Sequence, residues 1–254
     1  MLIDSHAHIN YGYKLDTQQI IQNMKEDNLE AIVNIGTSMQ SSKDAVVLSE
    51  NNQNVYAAVG LHPEATDELS EDNLKELERL AKHEKVVAIG EIGLDYFVCP
   101  ETKNVQRELF VRQLEIAERV NLPVCIHSRN SRDDVYEILS AHKDKLKCGG
   151  VMHCFCENLE YAKKFIELGF YISFSGNITF KKVDRSWLKE LPIDRILVET
   201  DCPFLSPEPL RGRVNEPKNV CYTAQKIADA LQMDFDEFQK ITTNNTKRIY
   251  SKIK

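Results

Sequence analysis

The sequence contains no C-x-x-C pair, no apolar run long enough to cross a bilayer, no low-complexity segment and no stretch rich enough in Pro, Gly and Ser to act as a linker. Of its seven cysteines only Cys154 and Cys156 stand close together, while Cys99, Cys125, Cys148, Cys202 and Cys221 are scattered. An odd number of scattered cysteines, with no secretory signal pattern, argues against a disulfide framework and leads to an expectation of free thiols in a reducing cytoplasm. The missing apolar run removes any expectation of a membrane-spanning helix. The missing linker leaves residues 1–254, 42% of them hydrophobic, as one domain with enough chain for a single large core.

Positive charge is outweighed, with 32 Lys and Arg against 39 Asp and Glu. The formal net charge is −7, which argues against a general polyanion binder. The deficit is confined to the first half: residues 1–127 hold 11 Lys and Arg against 21 Asp and Glu, whereas residues 128–254 hold 21 against 18. Lys181, Lys182, Arg185, Arg211, Arg213 and Lys218 all lie in the second half. They are either ordinary solvated surface or the rim of a site for an anionic substrate.

What is present is an alternation. Short apolar runs rich in β-branched residues fall at 2–5, 31–35, 55–59, 86–90, 124–127, 150–152, 171–174 and 195–198, with helical patterns between them. Ser70 precedes a helix carrying Leu74, Leu77 and Leu80 on one face; Ser131 stands three residues before Asp134 in a capping-box pattern; Gly169 closes a helix carrying Leu159, Ala162 and Ile166. The tail from Lys218 reads as two further helices, the second opening near Asp234. Eight β-α repeats predict an α/β fold, a single (β/α)8 TIM-type barrel with extra C-terminal helices; an open doubly wound sheet is the alternative.

A barrel of this kind carries its chemistry at the C-terminal ends of its strands. His6-Ala7-His8 follows the first predicted strand, and in extended chain residues i and i+2 project to the same side, so the two imidazoles can grip one cation. His62, Glu91, His127, His153 and Asp201 follow later strands, so five of the seven histidines sit at predicted strand ends. A lone histidine there is most simply a hydrogen-bonded structural residue, but several on different strands converge on one point if the barrel closes. Imidazoles with carboxylates form the ligand set of hydrolytic zinc, manganese or iron centres. Glu91 has two oxygens with which to bridge two ions, and Asp201 can both bind a metal and take a proton from an attacking water. Taken singly, Glu91 reads as a strand-end ion pair and Asp201 as a turn residue before Pro203.

Over nearly its whole length the chain resembles the TatD-like metal-dependent deoxyribonucleases, within the amidohydrolase-type barrels. The motifs are D-S-H-A-H from Asp4, G-L-H-P from Gly60, G-E-I-G-L-D-Y from Gly90, I-H-S-R from Ile126, H-C-F from His153, I-S-F-S-G from Ile172, E-T-D-C-P from Glu199 and R-G-R-V-N-E-P from Arg211. The resemblance implies two divalent ions (Zn, Mn or Mg), with His6, His8, Glu91 and Asp201 on one and Glu91, His127 and His153 on the other. It places His62 near a substrate phosphate. Histidine-rich ligation favours zinc or manganese, whereas nucleases of this resemblance are often supported by magnesium. The chain departs after Phe155, where Cys156-Glu157-Asn158 replace the small residues usual in the family. That puts a bulkier, charged loop beside the second metal and the substrate entrance.

The expected activity is hydrolysis of DNA phosphodiester bonds by an exonuclease acting on single strands or ends, with Asp201 and Glu91 catalytic and His62 and Arg129 on the phosphate. Arg129 has an alternative role as the ion-pair partner of a nearby carboxylate. A lactonase, cyclic amidase or phosphotriesterase would use the same barrel and H-x-H, although many of these enzymes bridge their metals with a carboxylated lysine where this chain has Glu91. A binding protein that has lost catalysis is a third reading, opposed by retention of all six candidate ligands. Tyr96, Phe155 and Phe174 are expected to pack rather than to stack on bases, and Glu216 to be structural.

Overall fold

A computed structural model describes residues 1–10 and 15–254. Eight parallel strands form one sheet in the order of the sequence: β1 (Leu2–Ala7), β2 (Leu29–Ile35), β3 (Val55–Val59), β4 (Val86–Asp95), β5 (Val124–Arg129), β6 (Gly150–Met152), β7 (Phe170–Phe174) and β8 (Ile196–Val198). Around them run α1 (Thr17–Asn23), α2 (Met39–Glu50), α3 (Glu71–Ala81), α4 (Lys103–Val120), α5 (Arg132–Ala141) and α6 (Leu159–Glu167), followed by α7 (Val220–Leu231) and α8 (Phe235–Ile249). This is the TIM-type barrel predicted above, and the open sheet is set aside because β8 returns to β1. There the Asp201 amide donates to the His6 carbonyl at 2.9 Å and the His8 amide to the Cys202 carbonyl at 2.9 Å.

Strand alternation builds two apolar layers. Leu2, Ile32, Val55, Ala57, Val59, Val86 and Ile89 face the helices, while Ile3, Ala31, Val33, Tyr56, Ala58, Val87, Val151 and Leu197 fill the barrel. Tyr250 and Ile253, just beyond α8, belong to the inner cluster. Among the described residues no helix is long and apolar enough to cross a membrane.

Several helix signals hold in detail. Ser70 accepts from the Asn73 amide at the start of α3, Asp234 accepts from the Glu237 amide at the start of α8, and Gly169 follows α6 with φ +91°. The Ser131 capping box does not form: the Ser131 hydroxyl donates instead to the Leu94 carbonyl at 2.8 Å, tying the start of α5 to the end of β4. Three strands also run further at their C-terminal ends than their apolar cores suggested. β1 continues through His6, β4 through Glu91 to Asp95, and β5 through His127 to Arg129. Polar side chains are tolerated there because they converge on one another at the barrel mouth. Register irregularities fall between Asp4 and Ala7 on β1 and between Ile89 and Ile92 on β4, where a local bulge re-aims successive side chains.

Candidate metal centre

The two oxygens of Glu91 face two separate sets of imidazole nitrogens. Oε2 lies 3.4 Å from His6 Nε2 and 3.6 Å from His8 Nε2. Asp201 Oδ1 completes this first set, 3.6 Å from His6 Nε2 and 3.5 Å from His8 Nε2. Oε1 lies 2.8 Å from His127 Nδ1, 2.9 Å from His153 Nε2 and 3.6 Å from His62 Nε2. The structure therefore brings together all six predicted ligands, and His62 with them. His6 Nε2 and His8 Nε2 are themselves only 3.2 Å apart. Nitrogens and carboxylate oxygens crowded at this spacing in a buried pocket form a donor set suited to divalent cations. Three overlapping triads have ligand atoms within 4.8 Å of one another: His6, His8 and Glu91; His6, His153 and Asp201; and His62, Glu91 and His127.

Local backbone explains why these side chains meet. Asp201 adopts φ +56°, turning its carboxylate back over the mouth after β8. Gly93 adopts φ +141°, and a Cβ there would come within 2.0 Å of the His127 carbonyl, so only glycine lets β4 lie this close to β5.

A second ring of residues fixes the imidazoles. His127 Nε2 lies 3.1 Å from Asp95 Oδ2, and His153 Nδ1 lies 3.3 Å from Glu199 Oε1. His8 Nδ1 donates to the Ile35 carbonyl at 3.1 Å, which turns Nε2 toward the centre. His6 Nδ1 lies 3.3 Å from Cys125 Sγ. Glu199 is in turn held by the Ser173 hydroxyl at 2.5 Å and the Cys154 amide at 2.7 Å. Asp95, Glu199 and Cys125 were not singled out in the sequence. The first two stand inside the quoted G-E-I-G-L-D-Y and E-T-D-C-P motifs, which was the available signal, whereas Cys125 carried none.

Electrostatics follow from this packing. Burial acts to raise the Glu91 carboxyl, but His153 and the hydrogen bonds from His127 and His153 bring it well below the usual carboxylate range. Asp201 behaves likewise: burial is outweighed by His8, His153 and His6, and its pKa is lowered. Burial opposes charge on His153, yet Glu91 and Glu199 raise it well above an ordinary imidazole. For Asp95, burial is overcome by His127 and the Val98 and Phe97 amides, which lower it to about 2. His62 is lowered to about 3, chiefly by burial, so its ring is neutral near pH 7.

The centre opens into a cleft of about 850 Å³, lined among others by His62, Arg129, Cys154, Cys156, Glu157 and Phe204. Arg129 is exposed and stacks on Phe97 with its guanidinium carbon 4.0 Å from the ring centroid. No carboxylate pairs with it among the described residues, so the ion-pair alternative falls away. The departing loop does line the cleft, and Glu157 is anchored there by Arg132 at 3.1 Å. Lys181, Lys182, Arg185, Arg211, Arg213 and Lys218 do not line it. Arg185 is spent on the carbonyls of Ile178, Val183 and Phe180, Arg211 stacks on Phe180, and Lys218 pairs with Glu216 at 2.6 Å. The charge asymmetry, read as either solvated surface or a substrate rim, therefore does not extend to the cleft lining itself. Tyr96 is structural, its hydroxyl donating to Asp134 at 2.6 Å, and Phe155 and Phe174 are buried.

Comparison with known proteins agrees with this architecture. A family model described as TatD related DNase matches residues 3–251. The metal-dependent hydrolase YabD of Bacillus subtilis (strain 168) is 42% identical over 98% of this chain and 99% of its own length. The metal-dependent hydrolase YcfH of Escherichia coli (strain K12) is 36% identical over 98% of this chain and 95% of its own. The crystal structure of YjjV, a TatD homologue from Escherichia coli K12, superposes with a TM-score of 0.92 at 30% identity, covering 98% of both chains.

Proposed function

The chain belongs to the TatD related DNase family, and from that premise we propose that it is a divalent-metal-dependent deoxyribonuclease that hydrolyses DNA phosphodiester bonds as an exonuclease at single-stranded ends. The observation that carries this reading is the placement of the two Glu91 oxygens, one toward each nitrogen set. We assign His6, His8, Glu91 and Asp201 to one ion and Glu91, His127 and His153 to a second. Two such ions, when bound, acidify a water and stabilise charge on the entering and leaving oxygens of a phosphoryl displacement.

The chain's own residues do the rest. Glu91 sets the spacing of the two ligand sets from a buried, ionised carboxylate. Asp201 has its pKa lowered and is the less covered of the two carboxylates, at 14% exposed against 5%, so it can take the proton of the attacking water. Arg129 meets phosphate charge at the cleft wall. His62, being neutral, offers a phosphate oxygen one N–H rather than a charge. Glu157, paired with Arg132, places a carboxylate in the cleft lining.

A time course on end-labelled single-stranded DNA tests the reading, with chelator and then with each divalent ion restored. A panel of lactones and phosphotriesters is run beside it. Cleavage that stops with chelator, returns with metal and is absent from Glu91→Ala supports it. Turnover of the small esters without DNA cleavage points to the amidohydrolase-type alternative, and DNA cleavage indifferent to chelator removes the metal-centred account.

A further inference from the structure

The cleft holds two thiols that the proposed hydrolysis does not use. Cys154, Phe155 and Cys156 follow β6, and Phe155 is buried in the outer core while both cysteines line the cleft. Cys154 stands in the turn after β6 at φ +44°, and both thiols border the same space. Cys156 is exposed and Cys154 half-buried. The Asn177 amide nitrogen reaches both sulfurs, at 2.9 Å for Cys156 and 3.7 Å for Cys154. The Cys154 sulfur also lies 3.1 Å from the Ser175 hydroxyl, and Cys156 Sγ donates to the Cys154 carbonyl at 3.1 Å.

The other five cysteines are placed differently. Cys125 and Cys202 are fully buried, and Cys99, Cys148 and Cys221 do not line the cleft. An exposed thiol with a second thiol beside it is the arrangement in which oxidation is captured reversibly as a disulfide.

We propose that Cys156 and Cys154 form an oxidant-responsive modification site in the cleft wall, with hydroperoxides as its co-reactant. The Cys156 sulfur, as thiolate, attacks a peroxide oxygen. The S–O bond forms as the O–O bond breaks, the peroxide is reduced by two electrons to water or an alcohol, and Cys156 becomes a sulfenic acid. The Cys154 sulfur then attacks the Cys156 sulfur. The S–S bond forms, the S–O bond breaks, and the oxygen leaves as water carrying the Cys154 proton. The Asn177 N–H steadies the thiolate in the first step.

The site bears directly on the metal centre. The Cys154 amide holds Glu199, and Glu199 holds His153, so the disulfide is tied to a proposed ligand through two contacts. The chemical readout below is independent of substrate, so failure of this proposal and failure of the deoxyribonuclease reading are separate outcomes.

The test is exposure of the full-length protein to hydrogen peroxide, followed by alkylation and peptide mass mapping without reductant. The expected product is a peptide spanning residues 154–156 that has lost two hydrogens and regains them with dithiothreitol. Cys154→Ser should instead leave Cys156 as a sulfenic acid trapped by dimedone, and Asn177→Leu should slow the reaction roughly fivefold, the worth of one hydrogen bond. Oxidation of Cys156 straight to sulfinic acid in the wild-type chain, or a first disulfide that involves any other cysteine, overturns the proposal. So does a Cys156 that stays reduced while Cys99, Cys148 or Cys221 reacts.

Discussion

Asp4 and Thr200 fasten the first strand of the barrel to the end of the last. The Thr200 amide donates to Asp4 Oδ1 at 2.9 Å and the Thr200 hydroxyl meets Asp4 Oδ2 at 2.5 Å, with both residues essentially inaccessible to solvent. His6 and His8 follow Asp4 on one side of this seam, and Asp201 follows Thr200 on the other. The clasp thereby holds together the two halves of one candidate ligand set.

The clasp predicts a pH dependence of stability. Burial pushes the Asp4 carboxyl from 3.8 up to about 8, against the Thr200 hydrogen bonds that lower it. The folded state then holds a proton between those values that the unfolded state has released. Stability contributed by this proton is fully present below pH 3.8 and is lost as pH rises toward 8, by at most about 1.4 kcal/mol per pH unit. Denaturant titrations of metal-free protein at pH 5 and pH 8 should show wild type losing more stability across that interval than Asp4→Asn. Equal losses in the two proteins would place the proton elsewhere.

Glu91→Ala and Asp201→Ala should each reduce metal-dependent DNA cleavage by roughly two orders of magnitude or more while circular dichroism stays unchanged. The two variants should differ in metal content. Loss of Glu91 removes a donor from both sets, whereas loss of Asp201 affects only the set that includes His6 and His8. Elemental analysis distinguishes them, and full activity in either variant would remove that residue from the mechanism.

Asp95→Asn and Glu199→Gln leave every proposed ligand in place but weaken the grip on His127 and His153. Metal affinity should fall by roughly 10- to 100-fold in each, as is typical when the group behind a ligating histidine is changed. Competition with a chromophoric chelator measures this. Unchanged affinity would mean that packing alone orients the two rings.

Metal binding should also stabilise the fold, because it draws together side chains from β1, β4, β5 and the ends of β6 and β8. At a free ion concentration about 100 times the dissociation constant the gain is about 2.7 kcal/mol, or roughly 5–10 °C in melting temperature for a chain of this size. Differential scanning calorimetry with and without chelator reads it directly. Coincident melting curves would count against a resident divalent cation.

Much of this molecule is legible as sequence. The strand cores are continuous apolar runs because a parallel barrel buries both faces of each strand, and that pattern survives with no knowledge of neighbours. The lengths of β1, β4 and β5 were not legible. His6, Glu91 and His127 read as strand-end residues, since polar side chains inside a buried strand are costly unless partners from other strands arrive. Ser131 misled for a related reason: its spacing to Asp134 suits a capping box, but the Leu94 carbonyl, 37 residues away, offered a better partner.

The sequence by itself determined the eight-fold repeat, the candidate ligand residues and their order along the chain, because hydrophobic period and motif spacing are local properties. Only the tertiary structure decided that the Glu91 oxygens divide between two nitrogen sets, that Asp95 and Glu199 stand behind the imidazoles, that Arg129 lies on Phe97, and that Arg185, Arg211 and Lys218 engage partners away from the cleft. The first three are contacts between residues far apart in sequence, fixed when β8 closes on β1, and no local pattern encodes the distance across that closure.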